Sequence, residues 1–354
     1  MKKITLLFLF TFTSIFSQVK ISTYSGTADT GLVNGCIKNA RYNKAFGICI
    51  DKKGNLFIAE NGNSVIRKID TKGNVTTLAG TGREGAADGT VDKAEFNEPA
   101  GVCADDKGNI FVADFMNHLI RKIDKNSMVS TVAGSGKPGY KNGKGAEAQF
   151  NYPRGVVVDK KGNLYVSDSW NHRIRKIDTK GNVTTYAGGG SYFDPDSRGE
   201  CVDGKDTTAR FYTPCGLAID EKGNLYVTDA RNHRIRKVDT KRYVTTIAGT
   251  GEGGVEKGGF KEGKAETSIL NTPTEVCVGK NEEVYFSDTF GHRIRKIYKG
   301  AVTTIAGNGK AGFIDGSGEA ARFNFPRGIA VDKTGNKIYV FDYYNNSIRL
   351  IELK

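Results

Sequence analysis

Apolar residues come in short runs along this chain, each closed by a cluster of Gly, Asn, Asp, Lys or Ser. Residues 155–188 show the pattern most clearly. Gly155 to Asp159 is an apolar run that reads as a buried strand, and Lys160 to Asn163 is a turn. Leu164 to Asp168 is a second strand, rich in β formers, and Ser169 to His172 turns again. Arg173 to Asp178 is a third strand, Thr179 to Asn182 a turn, and Val183 to Gly188 a fourth strand. The same order returns along the chain. The second arginine of Arg173-Ile174-Arg175 has counterparts at Arg67, Arg121, Arg236, Arg295 and Arg349, with spacings of 54, 54, 61, 59 and 54 across the six copies. A unit repeated this way cannot bury its apolar surface alone and must stack on its neighbours. Four short antiparallel strands with tight turns predict one propeller blade, so the chain reads as all-β, a six-bladed β-propeller of four-stranded blades. Loops of Gly and charge, with a short helical piece such as 146–150, join one copy to the next.

The two ends favour a closed ring over an open stack. The sixth copy runs from Gly328 to Ile351 and lacks a fourth strand, whereas residues 19–26 match that fourth strand with no blade before them. The N-terminal strand is therefore expected to complete blade 6 and remove the exposed edges of an open stack. One domain, 18–354, follows.

With the repeat in view, the chain resembles the NHL-repeat family, and one copy spells the motif as Asn117-His118-Leu119. The match extends over residues 19–354. It implies a propeller fold but no single activity, because such folds host binding modules and enzymes alike. In peptidyl-amidoglycolate lyases, which look similar in fold, zinc-binding histidines follow a proline before the innermost strand. Gluconolactonase-like propellers place an acid or amide there. The matching residues here are Phe46, Ala100, Arg154, Cys215, Thr274 and Arg327, none of them His, Asp, Asn or Glu. The resemblance therefore carries over no metal site, and no cofactor is expected. Glu275 stands beside that ring without a second acid.

Residues 1–17 read as a secretory signal: Lys2 and Lys3, then an apolar run from Ile4 to Phe16, then Ser17. The run is short for a membrane span, which needs about 20 apolar residues. A secreted or periplasmic protein with no membrane span in its mature chain is expected. The net charge of +13 falls to +11 once Lys2 and Lys3 are removed. Such a balance suits polyanions, but export argues against nucleic acid as the partner. Much of the excess lies in the repeated Arg-Lys pair, and each such arginine follows an acid by seven residues: Glu60, Asp114, Asp168, Asp229, Asp288 or Asp342. Ion pairs repeated in every blade are expected, since buried charges must be paired.

Of the six cysteines, Cys49, Cys103 and Cys277 share a position that other copies fill with Val157, Ala218 and Ala330. They read as small core side chains. Cys201 and Cys215 fall in one long loop and are the pair an oxidising compartment would join. Asp194 to Gly199 begins like a calcium loop, but the twelfth position is Lys205 where the bidentate acid should stand. The repeated Asp-Gly-Asn turns read as turn chemistry. His118, His172, His233 and His292 share one repeat position on a ring, too spread to hold one metal, and each reads as fixing its own turn.

Strand direction places the long loops, the residue after each proline, and the turn before the third strand on one face, here the top. That face carries Phe115, Trp170, Arg231, Phe290, Tyr343 and Tyr344 in its turns, with Arg154 and Arg327 on opposite blades. Aromatics with arginines are the residue types of binding surfaces, and guanidinium suits carboxylate or sulfate. The expected function is a non-catalytic binding or interaction module for an extracellular or periplasmic protein or glycan. The alternative is a lyase or hydrolase at the mouth of the channel using Arg154, Arg327, Cys215 and Glu275. An RNA-binding module would require residues 1–17 to be something other than a signal.

Overall fold

The computed structural model describes residues 19–190, 200–251 and 257–353. It is a six-bladed β-propeller. The apolar runs form the strands expected of them. In blade 3 the innermost strand is Pro153–Val158, followed outward by Leu164–Asp168, Arg173–Ile177 and Asn182–Ala187. Each blade also has a fifth, outermost strand of two residues, Gly143–Lys144 in blade 3, which corrects the four-stranded expectation. It comes from the joining loop, which pairs briefly with the start of the fourth strand. Two residues are too few for any alternation to show in the sequence.

The ring closes as expected. Lys20–Ser25 lies in blade 6, between Gly316–Ser317 and Ser347–Glu352 and antiparallel to both. Val19 and Ile21 are buried there against Ile338, Val340 and Ile351.

Burial explains why a single repeat does not stand alone. The core consists of six apolar clusters, and each draws on two adjacent blades. Phe111, Ala113 and Ile120 of blade 2 pack with Phe150, Val156 and Val166 of blade 3, and the last cluster joins Phe341 and Ile348 of blade 6 to Tyr42 and Ile58 of blade 1. Fully burying one such side chain contributes about 1.5–3 kcal/mol, and almost all of it arises between blades.

The arginine ladder pins the loops. Arg175 is fully buried and donates to Asp168 Oδ2 at 2.7 Å, to the Gln149 and Lys141 carbonyls at 3.0 Å each, and to Asn142. Its guanidinium lies 5.3 Å from the Phe150 ring. The other oxygen of Asp168 accepts from the Asn151 N–H, and Asn171 donates to Oδ2. The pair recurs as Arg67–Glu60, Arg121–Asp114, Arg236–Asp229, Arg295–Asp288 and Arg349–Asp342, with both side chains fully buried each time. Burial raises these carboxyls, Glu60 to about 7 and Asp114 and Asp342 to about 6, with the arginine and the donated hydrogen bonds pulling the other way. The charge at this repeat position is thus structural, and it does not form a surface stripe.

Candidate functional site

The innermost strands start at the top face, and their first residues converge on the axis. A proline or alanine opens each strand; then come Phe46, Ala100, Arg154, Cys215, Thr274 and Arg327, and then Gly47, Gly101, Gly155, Gly216, Glu275 and Gly328. The glycines mark the tightest point of the channel. A Cβ on any of the five would stand less than 3.0 Å from the next blade, for example from the Cys215 carbonyl at Gly155 or from Thr274 and Glu275 at Gly216. Only in blade 5 does a side chain replace the hydrogen, and that side chain is Glu275. Below this constriction the channel holds a cavity of about 200 Å³, lined by Glu275 and by apolar residues such as Ile48, Val156, Leu217 and Cys277.

Above it, arginines and rings alternate across the mouth. The Arg154 guanidinium lies 5.1 Å from the Phe115 ring and 5.3 Å from the Phe46 ring; Arg327 lies 4.3 Å from Phe46 and 4.1 Å from Tyr343. Two arginines 173 residues apart thus share one phenylalanine. They have few polar partners. Arg154 donates one long hydrogen bond, to Cys215 Sγ at 3.5 Å, and Arg327 makes no hydrogen bond or ion pair among the described residues. The Nε atoms of both are buried and unpaired. Burial pushes Glu275 up to about 8, with Arg154, the Val276 N–H and Arg327 pulling it down. Burial also raises the Cys215 thiol, with Arg154 opposing. It is therefore no activated nucleophile, which would need its pKa lowered.

The aromatics of the top turns form two clusters. Tyr152 sits between Phe115 (4.9 Å) and Trp170 (4.3 Å) at the junction of blades 2 and 3. Phe325 joins Phe290 (5.0 Å) and Tyr344 (5.2 Å), and Tyr344 meets Tyr343 (5.0 Å). Phe290 and Tyr344 stay exposed. Of the residues singled out in the sequence, Arg154, Arg327, Phe115 and Tyr343 come together at the mouth, and Trp170, Phe290 and Tyr344 join through ring contacts. Arg231 stacks instead on Tyr212 and donates to its hydroxyl at 3.3 Å. Sequence reading missed Phe46, Tyr152 and Phe325. The last two immediately precede the prolines that open their strands, which was the available signal.

Three other expectations are resolved by geometry. Cys201 and Cys215 are both free thiols. Cys215 is buried at the axis, while the loop of Cys201 is held by Arg236, which bonds Val202 and Asp203. The histidines fix the next blade, not only their own turn: Nδ1 of His118, His172, His233 and His292 accepts the N–H of Tyr152, Thr213, Thr272 and Phe325, and Asn346 does the same for Lys44 across the ring closure. The donating N–H always belongs to a residue of positive φ just before an innermost strand. The bottom turns are self-contained: Asp159 accepts from the N–H groups of Lys161 and Asn163 and from the Asn163 side chain. The segment 194–199, which begins like a calcium loop, lies outside the described residues. Among the described residues, no three His, Cys, Asp or Glu side chains are grouped to hold a metal ion, and no helix is long and apolar enough to cross a membrane.

A closed ring of six repeated blades with a recessed, cationic and aromatic mouth defines a repeat propeller. The repeat itself is recognisable: the NHL repeat model matches residues 96–123, 150–177 and 323–349, and the teneurin NHL domain model matches 181–258. The protein is an NHL-repeat β-propeller. It is 30% identical over 341 residues to NHL repeat-containing protein 2 of Bos taurus, a match over 87% of this chain and 46% of that protein. The chain spans less than half of the length of the curated relatives it matches, from 8% of a teneurin to 46% of NHL repeat-containing protein 2. Among solved structures it is similar to an auxiliary nutrient binding protein from Bacteroides thetaiotaomicron (TM-score 0.69, 18% identity, 94% of this chain and 76% of that one). It is also similar to a streptogramin B lyase (TM-score 0.57, 13% identity, 97% and 100%). At those identities the likeness is one of fold.

Proposed function

We propose that this propeller is an exported binding module that takes a glycan or another exported protein at its top face, without catalysis. The observation that carries this reading is the mouth itself: two guanidiniums with no carboxylate partner among the described residues, set among aromatic rings. Each arginine of the ladder has a buried carboxylate partner, so the two at the mouth are the ones free to receive a partner's. Solved relatives in fold include a protein named for nutrient binding, which agrees with such a role. Export rests on residues 1–17, which read as a signal. A screen of glycans and exported proteins tests it, with Trp170→Ala and Arg154→Ala as controls. Saturable binding that both substitutions weaken supports the reading, and binding indifferent to both contradicts it.

A second reading, a lyase or hydrolase, has one observation in its favour. Glu275 carries a raised pKa beside two arginines, the environment of a general acid or base. Turnover abolished by Glu275→Gln with binding retained would establish it. Binding without turnover favours the first.

A further inference from the structure

The chemistry of the ligand can be narrowed, on the premise that the top mouth binds one. A guanidinium has five N–H donors and no acceptor. The six arginines of the ladder show what this protein does with such a group when it is buried: each has a carboxylate at 2.7–3.0 Å and at least two carbonyls. Among the described residues Arg154 and Arg327 have neither; their recorded partners are the Cys215 thiol and the rings of Phe46, Phe115 and Tyr343. Both arginine side chains are half-buried, with their terminal nitrogens left for a partner at the mouth. Glu275 lies beside both arginines but forms no ion pair with either, and burial raises its pKa against the pull of both. The mouth therefore presents two guanidiniums without an ion-pair partner among the described residues, both beside the same Phe46 ring, at 5.3 and 4.3 Å from its centroid.

We propose that the mouth binds an acidic glycan, with a uronate carboxylate seated between Arg154 and Arg327 and neighbouring sugar rings on the flanking aromatic clusters. Paired guanidiniums recognise a carboxylate through parallel N–H donors. The clusters around Tyr152 and Phe325 lie on the two sides of the arginines and offer apolar rings where a sugar presents its C–H face. A peptide carboxylate is the competing source of the anion. It would engage the arginines and leave the ring clusters on either side of them unused, whereas a uronate brings sugar faces to both.

The test is calorimetric titration of the mature chain with trigalacturonic acid. Its methyl ester, maltotriose and a peptide with a free C-terminal carboxylate serve as comparisons. Trigalacturonate is expected to bind, its methyl ester at least about tenfold more weakly, as loss of a charge-assisted pair requires. Arg327→Gln and Arg154→Gln should each lose at least about tenfold, and Arg327→Lys should recover part of it. The ester comparison uses the unaltered protein and so stands even where a variant fails to fold. Ester and acid binding alike, or a peptide carboxylate binding where trigalacturonate does not, overturns the proposal. If maltotriose or a protein binds in a Trp170-dependent, arginine-independent way, this proposal fails while top-face binding survives. If no ligand depends on Trp170 or on either arginine, the premise fails as well.

Discussion

Removing residues 19–26 should unlock the whole ring. The strand Lys20–Ser25 is the fourth strand of blade 6, paired from Lys20 opposite Glu352 to Ser25 opposite Ile348 with one bulge between Thr23 and Ser25. Deletion takes away Val19 and Ile21, 7% and 1% exposed, worth about 1.5–3 kcal/mol each in transfer from water. It also uncovers Ile338 and Ile351, both fully buried. The bonds from Ser25 Oγ to the Tyr42 hydroxyl (2.7 Å) and to the Ile37 carbonyl (3.0 Å), which reach into blade 1, go with it. Each such bond contributes about 0.5–1.5 kcal/mol net. The total is about 5 kcal/mol or more, comparable to the whole stability of an ordinary domain, about 5–15 kcal/mol. Ser347–Glu352 also becomes a bare edge, inviting aggregation. Thermal and urea unfolding of chains starting at residue 18 and residue 27 measures this. Ile21→Ala is the milder version, with an expected loss of about 2–5 kcal/mol, and Lys20→Ala, exposed on the same strand, should change stability by less than about 0.5 kcal/mol. If the shortened chain melts with the full one, ring closure does not depend on this strand.

Three further outcomes follow from the repeated networks. Asp168→Ala leaves Arg175 buried without its carboxylate and should cost about 3–5 kcal/mol in denaturant unfolding; a loss under about 1 kcal/mol would mean that the carbonyls and Asn142 suffice. Burial lowers the pKa of His118 and His292, and each must stay neutral at Nδ1 to accept the next blade's N–H. The unfolded chain therefore takes up more protons near pH 6.5, and stability should fall as pH drops below that value; His118→Ala should flatten the profile as well as lower it. Glu275 behaves oppositely: raised from 4.5 to about 8, it binds its proton more tightly when folded, so its contribution declines as pH rises from about 4.5 to 8. Unfolding of Glu275→Gln against the parent across that range should show the difference shrink at low pH and grow in the variant's favour at high pH.

The blades were legible because their signals are local and repeated. Arg175 and Asp168 lie seven residues apart, and six copies of that spacing point to a buried pair. The short outermost strands were not legible, since Gly143–Lys144 carries no period. Nor was the reach of His118, whose partner Tyr152 belongs to another repeat. At the mouth, residue types gave the arginines and several rings, but Phe46, which links Arg154 to Arg327, is remote from both in sequence and is placed by ring closure alone. Glu275 could be found by superposing the repeats, because five of them have glycine there. Loop length sets no geometry for pairing Cys201 with Cys215; Arg236 anchors one thiol's loop while the other is drawn into the axis.

Top-face binding is tested most directly by hydrogen–deuterium exchange of the mature protein, with and without saturating amounts of the glycan or exported protein retained in the screen. The account predicts protection at the residues around Tyr152–Arg154, Trp170–His172, Phe325–Arg327 and Tyr343–Asn346, with the bottom turns around Asp159–Asn163 unchanged. Protection confined to the bottom turns or to the outer strands would contradict it.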